Sequence, residues 1–96
     1  MESLNSIKEI LEKHKHRLSD KYGLSQLAIF GSYARNQQHE HSDVDILVDF
    51  SKPIGIEFID LAEELEQMLH IKVDLVSRRG IKEQYLRAIE KELEYV

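Results

Sequence analysis

Residues 43–50 read DVDILVDF, and no other stretch constrains the fold as strongly. Val44, Ile46, Val48 and Phe50 alternate with Asp43, Asp45, Leu47 and Asp49. A period of two marks a β-strand, because successive side chains leave opposite faces of the backbone. One face of this strand belongs in a core, and the other carries carboxylates. A sheet built around it therefore packs helices mainly on its apolar side.

The neighbouring segments supply those helices. Leu4, Ile7, Leu11 and Leu18 recur at helical spacing, with Ile10 and His14 beside them, so a helix is expected over residues 3–22. Ser6 and Glu9 have capping-box spacing near its start, and Gly23 is its expected stop. Leu27, Ala28, Ile29 and Phe30 form a short apolar run halted by Gly31, which reads as a buried strand. Residues 32–35 can make one helical turn, and residues 36–42 (NQQHEHS) are polar and exposed. After Pro53 and Gly55, the residues Phe58, Leu61, Ala62, Leu65 and Leu69 give a second long helix ending near His70. A third strand covers residues 72–76, with Val73 and Leu75 on one face and Asp74 on the other. Gly80 separates it from a last helix carrying Ile81, Tyr85, Ile89 and Leu93.

The expected order is α-β-(α)-β-α-β-α in a single domain over residues 1–96. A helical crossover between the second and third strands favours a parallel pair there. The fold class is α/β (α+β), with a small mixed three-stranded sheet and helices packed mainly on one face.

Composition narrows the function. The absence of cysteine removes disulfides and thiolate-based zinc or redox chemistry, and agrees with a cytoplasmic location. No apolar stretch approaches the roughly 20 residues that span a bilayer, and residues 1–10 lack the basic and apolar regions of a signal peptide. A net charge of −5 argues against direct nucleic-acid binding, which calls for a basic surface.

Asp43 and Asp45 lie two apart on a strand, so they share a face. Their mutual repulsion is relieved by a divalent cation, and magnesium takes carboxylate oxygens together with substrate phosphates. If the third strand neighbours the second, Asp74 joins them. Carboxylates grouped in this way suit two-metal phosphoryl transfer, in which the cations activate the attacking hydroxyl and steady the leaving phosphate. Gly31 lets a backbone approach a phosphate closely, and the amides of the following turn, with the Ser32 hydroxyl, can bind phosphate oxygens. Each piece alone has a bland explanation: an Asp-x-Asp among 18 acids, a capped turn, an exposed strand residue. Their conjunction in this order does not.

The segment GSYARNQQHEHSDVDILV resembles the signature of the DNA polymerase β-type nucleotidyltransferase superfamily. That signature is Gly-Ser, an intervening loop, Asp-h-Asp-h with h apolar, and a later h-Asp-h. Here ten residues separate Ser32 from Asp43. Within the superfamily the whole chain is similar to the minimal nucleotidyltransferases (MNT domains). The resemblance implies that Asp43 and Asp45 bind metal, that Asp74 completes the site and helps deprotonate an acceptor, and that Gly31 and Ser32 hold a triphosphate. It implies two Mg2+ ions, ATP as substrate and AMP transfer to an acceptor hydroxyl. Larger relatives hold the acceptor on a second domain. MNT proteins are instead commonly paired, as antitoxins, with a small helical HEPN-domain toxin, so the implied acceptor is a tyrosine of that partner. The alternative is a non-catalytic module that neutralises its partner by contact. Many relatives read Gly-Ser-x-Ala-Arg-Gly; here Asn36 replaces the last glycine, and asparagine tolerates the left-handed conformation better than most residues.

Other residues receive no role at this level. His39 and His41 are expected to be solvated, and Arg35, Arg78 and Arg79 are candidates for phosphate without being assigned to it. No GxGxxG or P-loop lysine is present. Phe30, Phe50, Phe58 and Tyr85 all fall on faces assigned to the core, so no aromatic is left for a nucleobase. Nucleotide binding by the isolated chain is therefore expected to be weak and dominated by phosphate and magnesium.

Overall fold

A computed structural model describes residues 2–96. The elements run α1 (Leu4–Tyr22), β1 (Leu24–Phe30), α2 (Gly31–Ala34), β2 (Val44–Phe50), α3 (Glu57–Leu69), β3 (Val73–Ser77), α4 (Glu83–Glu90) and β4 (Glu94–Tyr95). The sheet order is β3-β2-β1-β4. β1 pairs antiparallel with both β2 and β4, and β2 pairs parallel with β3. The helical crossover thus produced the parallel pair its length requires.

The sheet has four strands rather than the expected three. The last helix stops at Glu90, before Leu93, and the chain turns back as β4 along β1. A two-residue strand has no periodicity of its own; only its pairing with Ala28 and Ile29 defines it. β1 also begins earlier than expected, at Leu24, because residues 24–26 continue the ladder with β2.

The capping box of α1 is one turn earlier than the Ser6–Glu9 spacing suggested. Ser3 is the N-cap: the Ser6 N–H donates to Ser3 Oγ, and the Ser3 N–H donates to Ser6 Oγ. Serine at the third position serves as well as the usual glutamate because its hydroxyl can also accept. Gly23 ends the helix at φ 71°, the left-handed cap expected of it.

The apolar strand face is covered by two helices. Ile7, Leu11 and Leu18 of α1 and Leu61, Leu65 and Leu69 of α3 are buried against Leu27, Ile29, Val44, Ile46 and Val48. Each such side chain contributes about 1.5–3 kcal/mol by leaving water. The opposite face carries a smaller cluster, in which Ile89 of α4 packs on Phe30 and Leu47 of the strands. Leu47, the one apolar residue among the acids of β2, is buried because Ile89 covers it.

A polar clamp joins the two covering helices. Glu64 of α3 accepts hydrogen bonds from Arg17, from Lys21 Nζ at 3.0 Å and from the Tyr22 hydroxyl at 2.8 Å. Desolvation pushes its carboxyl upward, but these donors outweigh it and hold the pKa at about 2.

Candidate active site

The face of the sheet opposite α1 and α3 carries the acids. Asp45 on β2 is the direct register partner of Asp74 on β3, so the parallel ladder sets both side chains on one face as neighbours. Val44 and Ile46, on either side of Asp45, are fully buried on the other face. Asp45 is half-buried, and its carboxyl is pushed up to about 6. Burial is the largest cause, followed by the charge of Asp74, a hydrogen bond with Asp74 and the charge of Asp43; Arg35 pulls the other way. Burial and the neighbouring carboxylates thus disfavour the charged form of Asp45, a cost that a cation relieves.

Gly31, the residue after β1 and the first of α2, lies directly against Asp45. Its φ is +77°, a region costly for any residue with a side chain. A Cβ there would also fall 2.0 Å from Asp45 Oδ2. Glycine is required twice over, once by the backbone and once by the carboxylate packed on its Cα. The α2 turn follows, and its end is set by Asn36 at φ 58°, the left-handed conformation anticipated for asparagine at that position.

Between the sheet and α4 lies a cleft of about 620 Å³ lined by Gly31, Asp45, Asp74, Ile81, Tyr85 and Glu92, among others. That volume is in the range of small-molecule sites. The cleft brings Gly31, Asp45 and Asp74 together, whereas Asp43 and Ser32 are not among its lining residues. Asp43 is exposed at the start of β2 and borders a neighbouring hollow with Tyr33 and Ser42; its charge still reaches Asp45. Ser32 is half-buried in the first turn of α2.

Tyr85 departs from expectation. Its helical spacing with Ile81 and Ile89 put it on the core face, but only Ile89 is buried, and Tyr85 is 61% exposed in the cleft. Ile89 packs against Phe30 and Leu47 whereas Tyr85 stands clear of that cluster, so the same apolar stripe is core at Ile89 and open wall at Tyr85. The acidic floor therefore faces an apolar wall that includes Phe30, Val76, Ile81 and Tyr85.

Of the arginines, Arg35 alone lines this cleft. Its Nη1 donates to both Glu92 carboxylate oxygens, at 3.1 and 2.9 Å. Arg78 donates to Gln26 and the Tyr95 hydroxyl, and Arg79 pairs with Asp49 and the Phe50 carbonyl, so both tie the far end of the sheet together. His39 and His41 are exposed. Glu92 had no signal in the sequence, where it is one acid among 18.

Among the described residues no group of three or more Asp, Glu or His side chains forms a ready-made metal cage. The available donors are hard carboxylate oxygens facing a cleft of small-molecule size. Magnesium fits such a set, since it takes one or two carboxylates and completes its shell with water and substrate phosphates. No helix among the described residues is long and apolar enough to cross a membrane.

The sequence profile of the nucleotidyltransferase domain matches residues 11–96. A Methanocaldococcus jannaschii protein, provisionally named a protein adenylyltransferase, is 48% identical, with both chains covered completely. The protein adenylyltransferase MntA of Thermococcus cleftensis is 41% identical over all of this chain and 98% of its own. A crystal structure of a toxin–antitoxin with AMP-PNP contains a chain that superposes with a TM-score of 0.74 at 28% identity, covering 88% of this chain and 70% of that one.

Proposed function

The chain belongs to the nucleotidyltransferase domain family and is an enzyme of that kind; from this premise we propose that it moves AMP from ATP onto the hydroxyl of a tyrosine in a small helical HEPN-type partner. The observation that carries the reading is the alignment of Asp45 with Asp74 across β2 and β3, with Gly31 seated against Asp45 and the cleft open above them. Toxin–antitoxin membership of a similar structure, solved with an ATP analogue, supports the choice of nucleotide and partner.

In this reading Asp43, Asp45 and Asp74 hold two Mg2+ ions, which supply charge neutralisation at the triphosphate and activation of the acceptor when bound. The Gly31–Ser32 turn and Arg35 bind the triphosphate, with the missing Gly31 side chain letting the turn lie directly against the Asp45 carboxylate. Val76, Ile81 and Tyr85 line the cleft as an apolar wall for the nucleobase. The acceptor oxygen attacks the α-phosphorus, its proton passes to Asp74, and the bond to the bridging oxygen breaks to release pyrophosphate. The cleft excludes little water by itself, and the partner surface closes it as it delivers the tyrosine.

Incubating the chain and its partner with α-labelled ATP and magnesium tests the proposal. Label is expected on a partner tyrosine and is expected to vanish in Asp45→Asn. Tight association without any label would instead favour a module that neutralises its partner by contact alone.

A further inference from the structure

Glu92 stands at the phosphate turn although it lies 61 residues away in sequence from Gly31. Its Oε1 accepts the Gly31 N–H at 2.9 Å, and its two carboxylate oxygens accept from Arg35 Nη1. Arg35 Nε donates to Gln37 Oε1 at 3.1 Å. The guanidinium is thus pinned through two of its nitrogens, and Nη2 is left without a protein partner among the described residues. The Glu92 side chain is only 22% exposed, so these charge-assisted bonds are less weakened by solvent than surface pairs.

The backbone around Glu92 is fixed as well. Its N–H donates to Ile89 O at 3.0 Å, and the chain then pairs with β1 at Ile29↔Glu94 and Ala28↔Tyr95. The last residue, Val96, donates its N–H to Leu27 O at 2.9 Å. The ladder therefore locks the chain just after Glu92 onto the strand that runs into Gly31. This gives the short strand β4 a purpose that its small burial does not.

We infer that Glu92 is a positioning residue for the triphosphate: it orients the Gly31 peptide and turns Arg35 so that its free Nη2 is offered to phosphate. It acts through these groups and does not touch the reacting atoms. The inference rests on the nucleotide reading above. It makes the C-terminal strand part of the ATP site, although that strand lies outside the Gly-Ser and Asp-x-Asp motif.

The test is calorimetry of ATP with magnesium on the wild-type chain and on Glu92→Gln, Glu92→Asp and Glu92→Ala, with far-UV circular dichroism and a melting curve for each. Gln keeps an acceptor oxygen at the same reach, whereas Asp keeps the charge but falls one methylene short. The expected order is wild type tightest, Gln intermediate because it keeps one acceptor oxygen at the same reach without the charge, and Asp and Ala weaker than wild type by about 10-fold or more, the loss of one charge-assisted hydrogen bond. Rescue by Gln but not by Asp marks geometry as the role. Equal or tighter ATP binding in a folded Glu92→Ala or Glu92→Asp would overturn the inference, since the carboxylate would then be competing with phosphate. If Glu92→Ala does not fold, the Gln-against-Asp comparison decides by the same order. Failure of the wild-type chain to bind ATP would overturn the nucleotide reading itself.

Discussion

Replacing Asp45 with Asn tests the acid pair without any substrate. The wild-type carboxyl is raised from 3.8 to about 6, first by burial and then by Asp74. Its folded state therefore prefers the protonated form. Stability linked to that proton is fully present below the unfolded value of 3.8 and is lost as pH rises through about 6. The shift corresponds to about 3 kcal/mol at most. Asp45 is only half-buried, so solvent screening reduces this to about 1–2 kcal/mol. Asparagine has the same shape and never ionises, so the variant escapes the penalty. In a chelator-containing buffer at pH 8 it should melt about 5–15 °C above wild type, by the usual scaling for a domain of this size. At pH 4 the gap should close. Magnesium should then raise the wild-type melting temperature at pH 8 and leave the variant nearly unmoved. Thermal melts from pH 4 to 8, with chelator or magnesium, measure all of this. A gap that is independent of pH, or a variant less stable than wild type at pH 8, would refute the raised Asp45 carboxyl and the penalty argued from it.

Other outcomes follow from neighbouring residues. Gly31→Val should hurt ATP binding more than Ser32→Ala: a Cβ at Gly31 collides with Asp45 and sits at φ +77°, whereas Ser32 loses one hydroxyl worth about 0.5–3 kcal/mol. Equal losses by calorimetry, with both variants folded, would contradict that ranking. Tyr85→Ala should weaken ATP binding by about 1–3 kcal/mol if the ring stacks on the base, with little change in melting temperature because the ring is mostly exposed. Unchanged affinity would remove Tyr85 from the nucleobase wall. Glu64→Gln should cost about 1–2 kcal/mol at pH 7, because one carboxylate serves Arg17, Lys21 and Tyr22. Its carboxyl is held at about 2 against an ordinary 4.5, so its contribution is present above 4.5 and fades as pH falls toward 2. Urea unfolding at pH 7 and pH 2.5 should show the difference between variant and wild type shrinking.

Much of the site could be read from residue order alone, because it is written in local periods. Alternation along residues 43–50 determined which face of β2 is core and which is acid, and the h-Asp-h pattern at Asp74 did the same for β3. The helical spacing between those strands required a crossover, and a crossover of that length made them parallel, which is what sets Asp74 opposite Asp45. Gly31 was identifiable because glycine allows a close backbone approach, and Asn36 because it stands where many relatives carry glycine; both take left-handed angles in the fold. What tertiary structure decided are matters of neighbourhood, which no local period records. Tyr85 and Ile89 share one helical stripe, yet only the way α4 docks on the sheet makes one of them cleft wall and the other core. β4 exists only because β1 offers it a free edge. Glu92 looks in sequence like any solvated acid near the end of a charged helix. Its place at the Gly31 amide depends on a chain reversal that brings residues far apart in sequence into hydrogen-bond contact.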